Sequence, residues 1–262
     1  LRRADRAVRL FRRTPELDTT AGLGAANLLR ARAYRSAGRP RRALASAQRA
    51  VRDARRAADR CLEAESLARL GASYLDLDAT EEAELRLRDA VLLSEEIEFN
   101  RGVVIALLHL GILSAEAERD DASELLDRAA RLAREAGHHR LEAIGLCIRA
   151  RIDHIAGDSE RAAKGLERAL WLMERFGAEL VDRIVIAASQ ALVLETLGQA
   201  ERARVVVKRL RREMRQATEE IEGAVLKRRH RLGTTRLLQS ALTELGPVFP
   251  RSADVKATSL GG

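Results

Sequence analysis

The apolar positions of this chain repeat at a spacing of about forty residues. An alanine falls at Ala43, Ala83, Ala122, Ala162 and Ala203. Four positions on stands a second small or apolar residue, at Ala47, Leu87, Leu126, Leu166 and Val207. Three further stands a third, at Ala50, Ala90, Ala129, Ala169 and Leu210. Steps of four and three keep all three positions on one face of a helix. A turn position precedes each alanine, at or near Gly38, Asp78, Glu118, Gly157 and Gly198. Self-similarity at a fixed period of this size marks a repeat array.

Each unit reads as two helices joined by a tight turn. In the second unit the first helix runs from Cys61 to Leu77 with Leu67, Leu70, Tyr74 and Leu75 on its apolar face. Thr80 is expected to be the N-cap of the next helix, with Glu81 and Glu82 in its first turn, where the helix dipole favours negative charge. Ala83, Leu87, Ala90, Val91 and Leu93 line that second helix. The third unit repeats this with Ile105, Leu108, Gly111 and Leu113, and the fourth with Ile144, Ile148, Ile152 and Ile155. Gly137 and Gly177 are expected to act as C-cap glycines between units. An alanine once per unit marks the closest helix crossing, because a larger side chain there would push the backbones apart. The predicted fold is all-α, a right-handed superhelical solenoid of antiparallel helix hairpins.

At its start the chain shows the same spacing in Ala4, Val8 and Phe11. Residues 1–20 are therefore expected to be the second helix of a truncated repeat, and the chain a fragment of a longer protein with more repeats or another domain upstream. Residues 21–215 form the array, of about five units. Beyond Ala203, Val207, Leu210, Met214, Ala217, Ile221 and Ala224 alternate in steps of four and three. This reads as a long, coiled-coil-like helix, and 216–245 is expected to be an extended C-terminal helical region. Pro, Ser and Gly dominate after Gly246, so 246–262 is expected to be a disordered tail or a linker.

The residues are 46% hydrophobic but only 3% aromatic, so the core is built from Ala, Leu, Ile and Val. No stretch is long and apolar enough for a membrane span, and no signal-peptide pattern is present. Cys61 and Cys147 are expected to be buried free thiols in a reducing, cytoplasmic setting. The net charge of +8 is unevenly placed. Residues 1–60 carry 17 basic and 5 acidic side chains, residues 61–200 carry 16 and 27, and residues 201–236 carry 12 and 5.

Catalytic motifs are lacking: no phosphate-binding glycine loop, nucleophile elbow or paired metal motif occurs. His138 and His139 have no third ligand at metal-binding spacing and read as a surface loop. Asp153 and His154 are neighbours on a helix and point about 100° apart, so they do not form an acid–base dyad. No enzyme activity, cofactor or metal site is expected.

The spacing resembles the tetratricopeptide repeat (TPR) family. That motif places Leu-Gly in the first helix, an aromatic three residues after the Gly and an Ala nine further on. The second unit carries it in Leu70, Gly71, Tyr74, Ala83, Leu87 and Ala90, and the third in part in Leu110, Gly111, Ser114, Ala122, Leu126 and Ala129. The first unit keeps Tyr34, Ala43, Ala47 and Ala50 but has Ala31 where Gly is usual. The family's period is about 34 residues, whereas these alanines are 39 to 41 apart. Long degenerate units of this kind are similar to the arrays of MalT-like and other bacterial regulators, where they serve in sensing or docking.

The resemblance implies a concave groove formed by the first helices. Its register assigns Glu65, Ala68, Ala72, Leu75 and Asp76 to that groove in the second unit, and Ile105, Leu108, Ile112 and Glu116 in the third. The fourth would contribute Ile144, Cys147, Arg151 and His154, and the fifth Val185, Ala188, Leu192 and Glu195. The Lys and Asn pattern of the chaperone-tail carboxylate clamp is missing; Leu28 and Arg32 stand there in the first unit. A mixed apolar and acidic groove suits a helix or a basic-apolar peptide.

The expected function is a protein-interaction scaffold that takes a partner protein, a peptide or another domain of its own chain. A rival reading uses a basic patch of Arg204, Lys208, Arg211, Arg215, Lys227, Arg228 and Arg229 to contact nucleic acid. Against that reading, the region lacks aromatics for base stacking, and Glu219, Glu220 and Glu222 interrupt it. A third reading is the regulatory arm of a kinase or ATPase.

Overall fold

The computed structural model describes residues 2–13, 20–177 and 179–219. Among them there are eleven helices and no strand. The chain divides into two compact units, with the boundary between Leu125 and Leu126. Described residues of the first unit form α1 (Arg2–Arg13), α2 (Thr20–Ser36), α3 (Pro40–Arg56), α4 (Arg60–Leu75), α5 (Thr80–Glu96), α6 (Asn100–Glu116) and the start of α7 (Ala122–Glu135). Those of the second form the rest of α7, α8 (His139–Ile155), α9 (Ser159–Phe176), α10 (Leu180–Thr196) and α11 (Ala200–Glu219). Consecutive helices pack as hairpins: α2 with α3, α4 with α5, α8 with α9 and α10 with α11. The long period comes from the helices, most of which are 17 residues long.

Eight of the turns share one geometry. Gly38, Asp78, Glu118, Gly157 and Gly198, the five expected turn positions, all have positive φ, and so do Ala58, Glu98 and Gly137 between units. In each the residue after the positive-φ position donates its N–H back five residues: Arg39 to Tyr34 at 2.9 Å, Phe99 to Ser94 at 2.8 Å, Asp158 to Asp153 at 2.8 Å. This is the Schellman closure, which satisfies carbonyls left open at a helix end. Gly177 also has positive φ. Thr80 is the first residue of α5, and the N-cap is Ala79, which offers no side-chain oxygen. True side-chain caps occur at Asp59 on Leu62 N–H (2.9 Å) and Asp158 on Arg161 N–H (3.0 Å).

The repeating small and apolar positions are buried in every unit, Val207 being only partly so. At Gly71 a Cβ would lie 2.6 Å from Leu87 Cγ and 3.0 Å from the Ala83 carbonyl oxygen. This explains the Leu-Gly pair physically: α4 and α5 cross where only a hydrogen fits. In the second unit Leu166, Ala169, Leu172 and Met173 of α9 pack with Ala143, Cys147 and Ala150 of α8 and with Val185 and Ile186 of α10.

Candidate partner-binding site

In the first unit α2, α4 and α6 lie side by side. Their shared polar face carries five basic groups. Arg35 of α2 grips Asp76, which follows α4, with Nε at 2.7 Å and Nη2 at 3.0 Å. Arg101 of α6 reaches Glu65 of α4 at 3.5 Å, and Arg69, one turn along α4, stands 4.0 Å from the same carboxylate. Burial pushes the Arg69 guanidinium down to about 9; Arg32, Arg35 and Arg101 push the same way, and Glu65 opposes them. Arg69 therefore keeps its charge at neutral pH. His109 of α6 is driven well below 6.5 by burial and then by Arg35 and Arg69, so it is neutral there.

The expected groove residues divide by exposure. Glu65 and Asp76 belong to the charged face just described. Leu75, Ile105, Leu108 and Ile112 are buried in the core and offer little surface to a partner. The reason lies in α6, whose sequence NRGVVIALLHLGILSAE is apolar nearly all round, and a helix of that kind is covered on most sides. Glu116 is half-buried. In the second unit Ile144 packs partly against the core, and Arg151 is buried, which lowers its pKa. His154 is half-buried, with Nδ1 2.8 Å from Ser159 Oγ, and burial lowers its pKa. Asp153 pairs instead with Arg149 and, at 3.5 Å, with Arg161. Glu195 is exposed, and Val185 and Ala188 are core.

No family model and no curated protein matches the sequence. Solved structures do match the fold. BtubC (BKLC) from P. vanneervenii aligns at a TM-score of 0.63 and 18% identity, covering 84% of this chain and 91% of that one. Tetratricopeptide-like repeats of a putative kinesin light chain from Podosopora anserina align at 0.54 and 16%, covering 78% and 100%. NprR, solved in complex with its cognate peptide NprX, aligns at 0.58 and 17%, covering 83% of this chain and 59% of that one.

The fold is TPR-like.

Within the TPR-like array, the second unit holds a different charged cluster. Glu142 of α8 is fully buried. Its Oε1 accepts from Arg134 Nε at 3.0 Å and lies 3.7 Å from Arg168, while His139 Nδ1 stands 4.0 Å from Oε2. His139 stacks on Phe176 at 3.6 Å, Trp171 meets Phe176 edge-on, and Arg168 lies over the Trp171 ring at 4.4 Å. The adjacent histidines thus occupy the cap and first turn of α8, with His139 in an aromatic stack. Among the described residues no group of three or more His, Cys, Asp and Glu is placed to hold a metal ion. Cys147 is buried, and burial pushes its thiol up to about 11, but Cys61 is exposed in the first turn of α4, contrary to expectation.

On α11, the last described helix of the TPR-like array, Arg204, Lys208, Arg211 and Arg215 are exposed. Arg204 pairs with Glu201 at 2.5 Å. The opposite face of α11 is an ordinary hairpin face, with Leu210 and Met214 against Ile184, Ala187 and Ala188 of α10. Lys227, Arg228, Arg229 and the coiled-coil positions Ile221 and Ala224 lie outside the described residues. No described helix is long and apolar enough to cross a membrane. Sequence reasoning missed Arg69 and His109. The repeat itself carried a signal, since Leu29, Arg69, His109 and Arg149 stand at intervals of 40 residues.

Proposed function

We propose that this chain is a protein-interaction scaffold whose first-helix face holds a peptide or helix of a partner, as the sensing or docking part of a larger regulatory protein. The observation that carries this reading is the meeting of side chains from three successive first helices on one face, where Arg35, Asp76, Glu65, Arg69, Arg101 and His109 come within interaction distance. A stack of hairpins closed by identical turns gives such a face a fixed geometry, which lowers the ordering cost of binding. The TPR-like fold supports it further, because NprR shares that fold and was solved with a peptide. Affinity capture from lysate with and without nuclease tests the reading. Retained protein partners after nuclease are the expected result. Nucleic acid captured alone, or proteins lost on nuclease treatment, would replace it with the basic-helix reading.

A further inference from the structure

Around Arg69 the described ion pairs on the α2–α4–α6 face are unequal. Asp76 is taken at both oxygens by Arg35. Glu65 is divided between Arg101 and Arg69, and the Arg69 contact, at 4.0 Å, is the looser. In these contacts two carboxylates serve three guanidiniums, and Arg32 presses on Arg69 as a fourth positive group. Arg69 stands worst: its side chain is 16% exposed and its Nε has no hydrogen-bond partner. A guanidinium withdrawn from water and short of acceptors is held at a penalty that an incoming acceptor removes. Beside it, His109 stays neutral because burial, Arg35 and Arg69 oppose a further positive charge.

Resting on the scaffold reading above, we propose that this face binds an acidic peptide segment and seats one of its side-chain carboxylates on Arg69. A carboxylate matches the planar guanidinium fork, and it meets a surplus of positive charge. A basic peptide would have to break the Arg35–Asp76 and Arg101–Glu65 pairs to find acceptors. A purely apolar segment finds little to cover, because Ile105, Leu108 and Ile112 are buried. Bases of a nucleic acid find no stacking platform: Tyr34 is buried, and Tyr74 packs against the cluster of Leu75, Leu87 and Leu110. The acidic-groove expectation is thereby reversed. The face's own carboxylates are engaged, and what remains to be matched is cationic.

The test uses short fluorescent peptides with amidated ends, alternating Leu with Glu, Gln or Lys, titrated against the full chain. Amidation removes the terminal carboxylate, so only side chains can supply the anion. The Glu–Leu peptide is expected to bind, the Lys–Leu peptide not, and Arg69→Gln is expected to weaken the Glu–Leu peptide about tenfold. Equal or tighter binding of the Lys–Leu peptide, or an Arg69→Gln variant of unchanged affinity, overturns the proposal. If the Gln–Leu peptide binds as tightly as the Glu–Leu one, the scaffold reading stands and the acidic reading falls. If none binds, the acidic reading falls, and lysate capture decides the scaffold reading separately. A measurement on the unaltered chain guards against misfolding of the variant. Saturation with the Glu–Leu peptide should raise the pKa of His109, followed by NMR of its imidazole, because an anion paired with Arg69 offsets the positive charge that disfavours the imidazolium. An unmoved His109 titration also overturns the proposal.

Discussion

The two units solve opposite electrostatic problems with the same side chains. In the second unit one carboxylate, Glu142, is fully buried and three cationic or potentially cationic groups surround it: Arg134, Arg168 and His139. Its charge is answered from within the chain, and Arg134 and Arg168 remain largely in solvent, where they lose little hydration. In the first unit it is the cation that is withdrawn, and the Glu65 carboxylate beside it stands 4.0 Å away and is shared with Arg101. A buried charge met by two guanidiniums of its own chain is a clasp, even where one of its oxygens, Glu142 Oε2, accepts no hydrogen bond. One answered in part has capacity left for something outside.

The contrast breaks most visibly when the answered charge is stripped. Replacing both Arg134 and Arg168 by Ala leaves Glu142 buried without its guanidiniums and should cost about 3 kcal/mol of stability, read as a lower urea midpoint. Arg69→Leu in the first unit should by contrast change stability by less than about 1 kcal/mol, or raise it, since it removes a poorly satisfied buried cation. If Arg69→Leu proves as harmful as the double variant, the contrast is wrong.

Gly71→Ala tests the packing beneath the charged face. Its methyl would sit 2.6 Å from Leu87 Cγ, and overpacking of that kind costs about 1–3 kcal/mol, measurable in the same unfolding assay.

Acid should act on both units, and more strongly on the first. The folded pKa of His109 lies well below 6.5 and that of His154 is also lowered, the former by burial and neighbouring arginines, the latter by burial alone. The unfolded chain therefore takes up these protons first. The stability they contribute is complete above the ordinary value of about 6.5 and is lost as pH falls toward the folded values. His109→Gln should flatten the pH dependence of the unfolding midpoint more than His154→Gln does. An equal effect of the two would remove the arginines from the explanation.

The smallest effect concerns the turns. Glu118 holds φ at 53°, where Gly38 and Gly157 serve in the equivalent turns. Glu118→Gly should stabilise by about 0.5 kcal/mol, the relief of left-handed strain less the extra freedom of an unfolded glycine. A midpoint that falls would show that the Glu118 side chain matters more than its backbone.

The hairpin architecture was legible because packing repeats leave a trace in residue size. Ala43, Ala83, Ala122, Ala162 and Ala203 are buried where two helices cross, and the five expected turn positions have positive φ. Ala58 and Glu98 escaped notice because they lie between units, ahead of first helices that no recurring alanine marks, and neither residue type signals the left-handed conformation that the helix ends impose. Thr80 misled for a related reason: a good capping residue was available, but the turn placed it one position inside the helix. The charged face was the least legible part. Its ties link residues 36 or 41 positions apart, as in Arg101–Glu65 and Arg35–Asp76. Helical periodicity gives the side of a helix on which a residue stands. It does not say which carboxylate a long arginine side chain will reach, or how many competitors share it.

The evenly phased turns also bear on how such a chain can change over generations. Eight turns close the same hydrogen-bonded ring, so a crossover between two of them at equal phase would add or delete one whole period and leave those rings intact. The row of first helices can thus lengthen or shorten one helix at a time. On the scaffold reading proposed above, the extent of partner that the row can span is then inherited in discrete steps, independently of the side chains that line it.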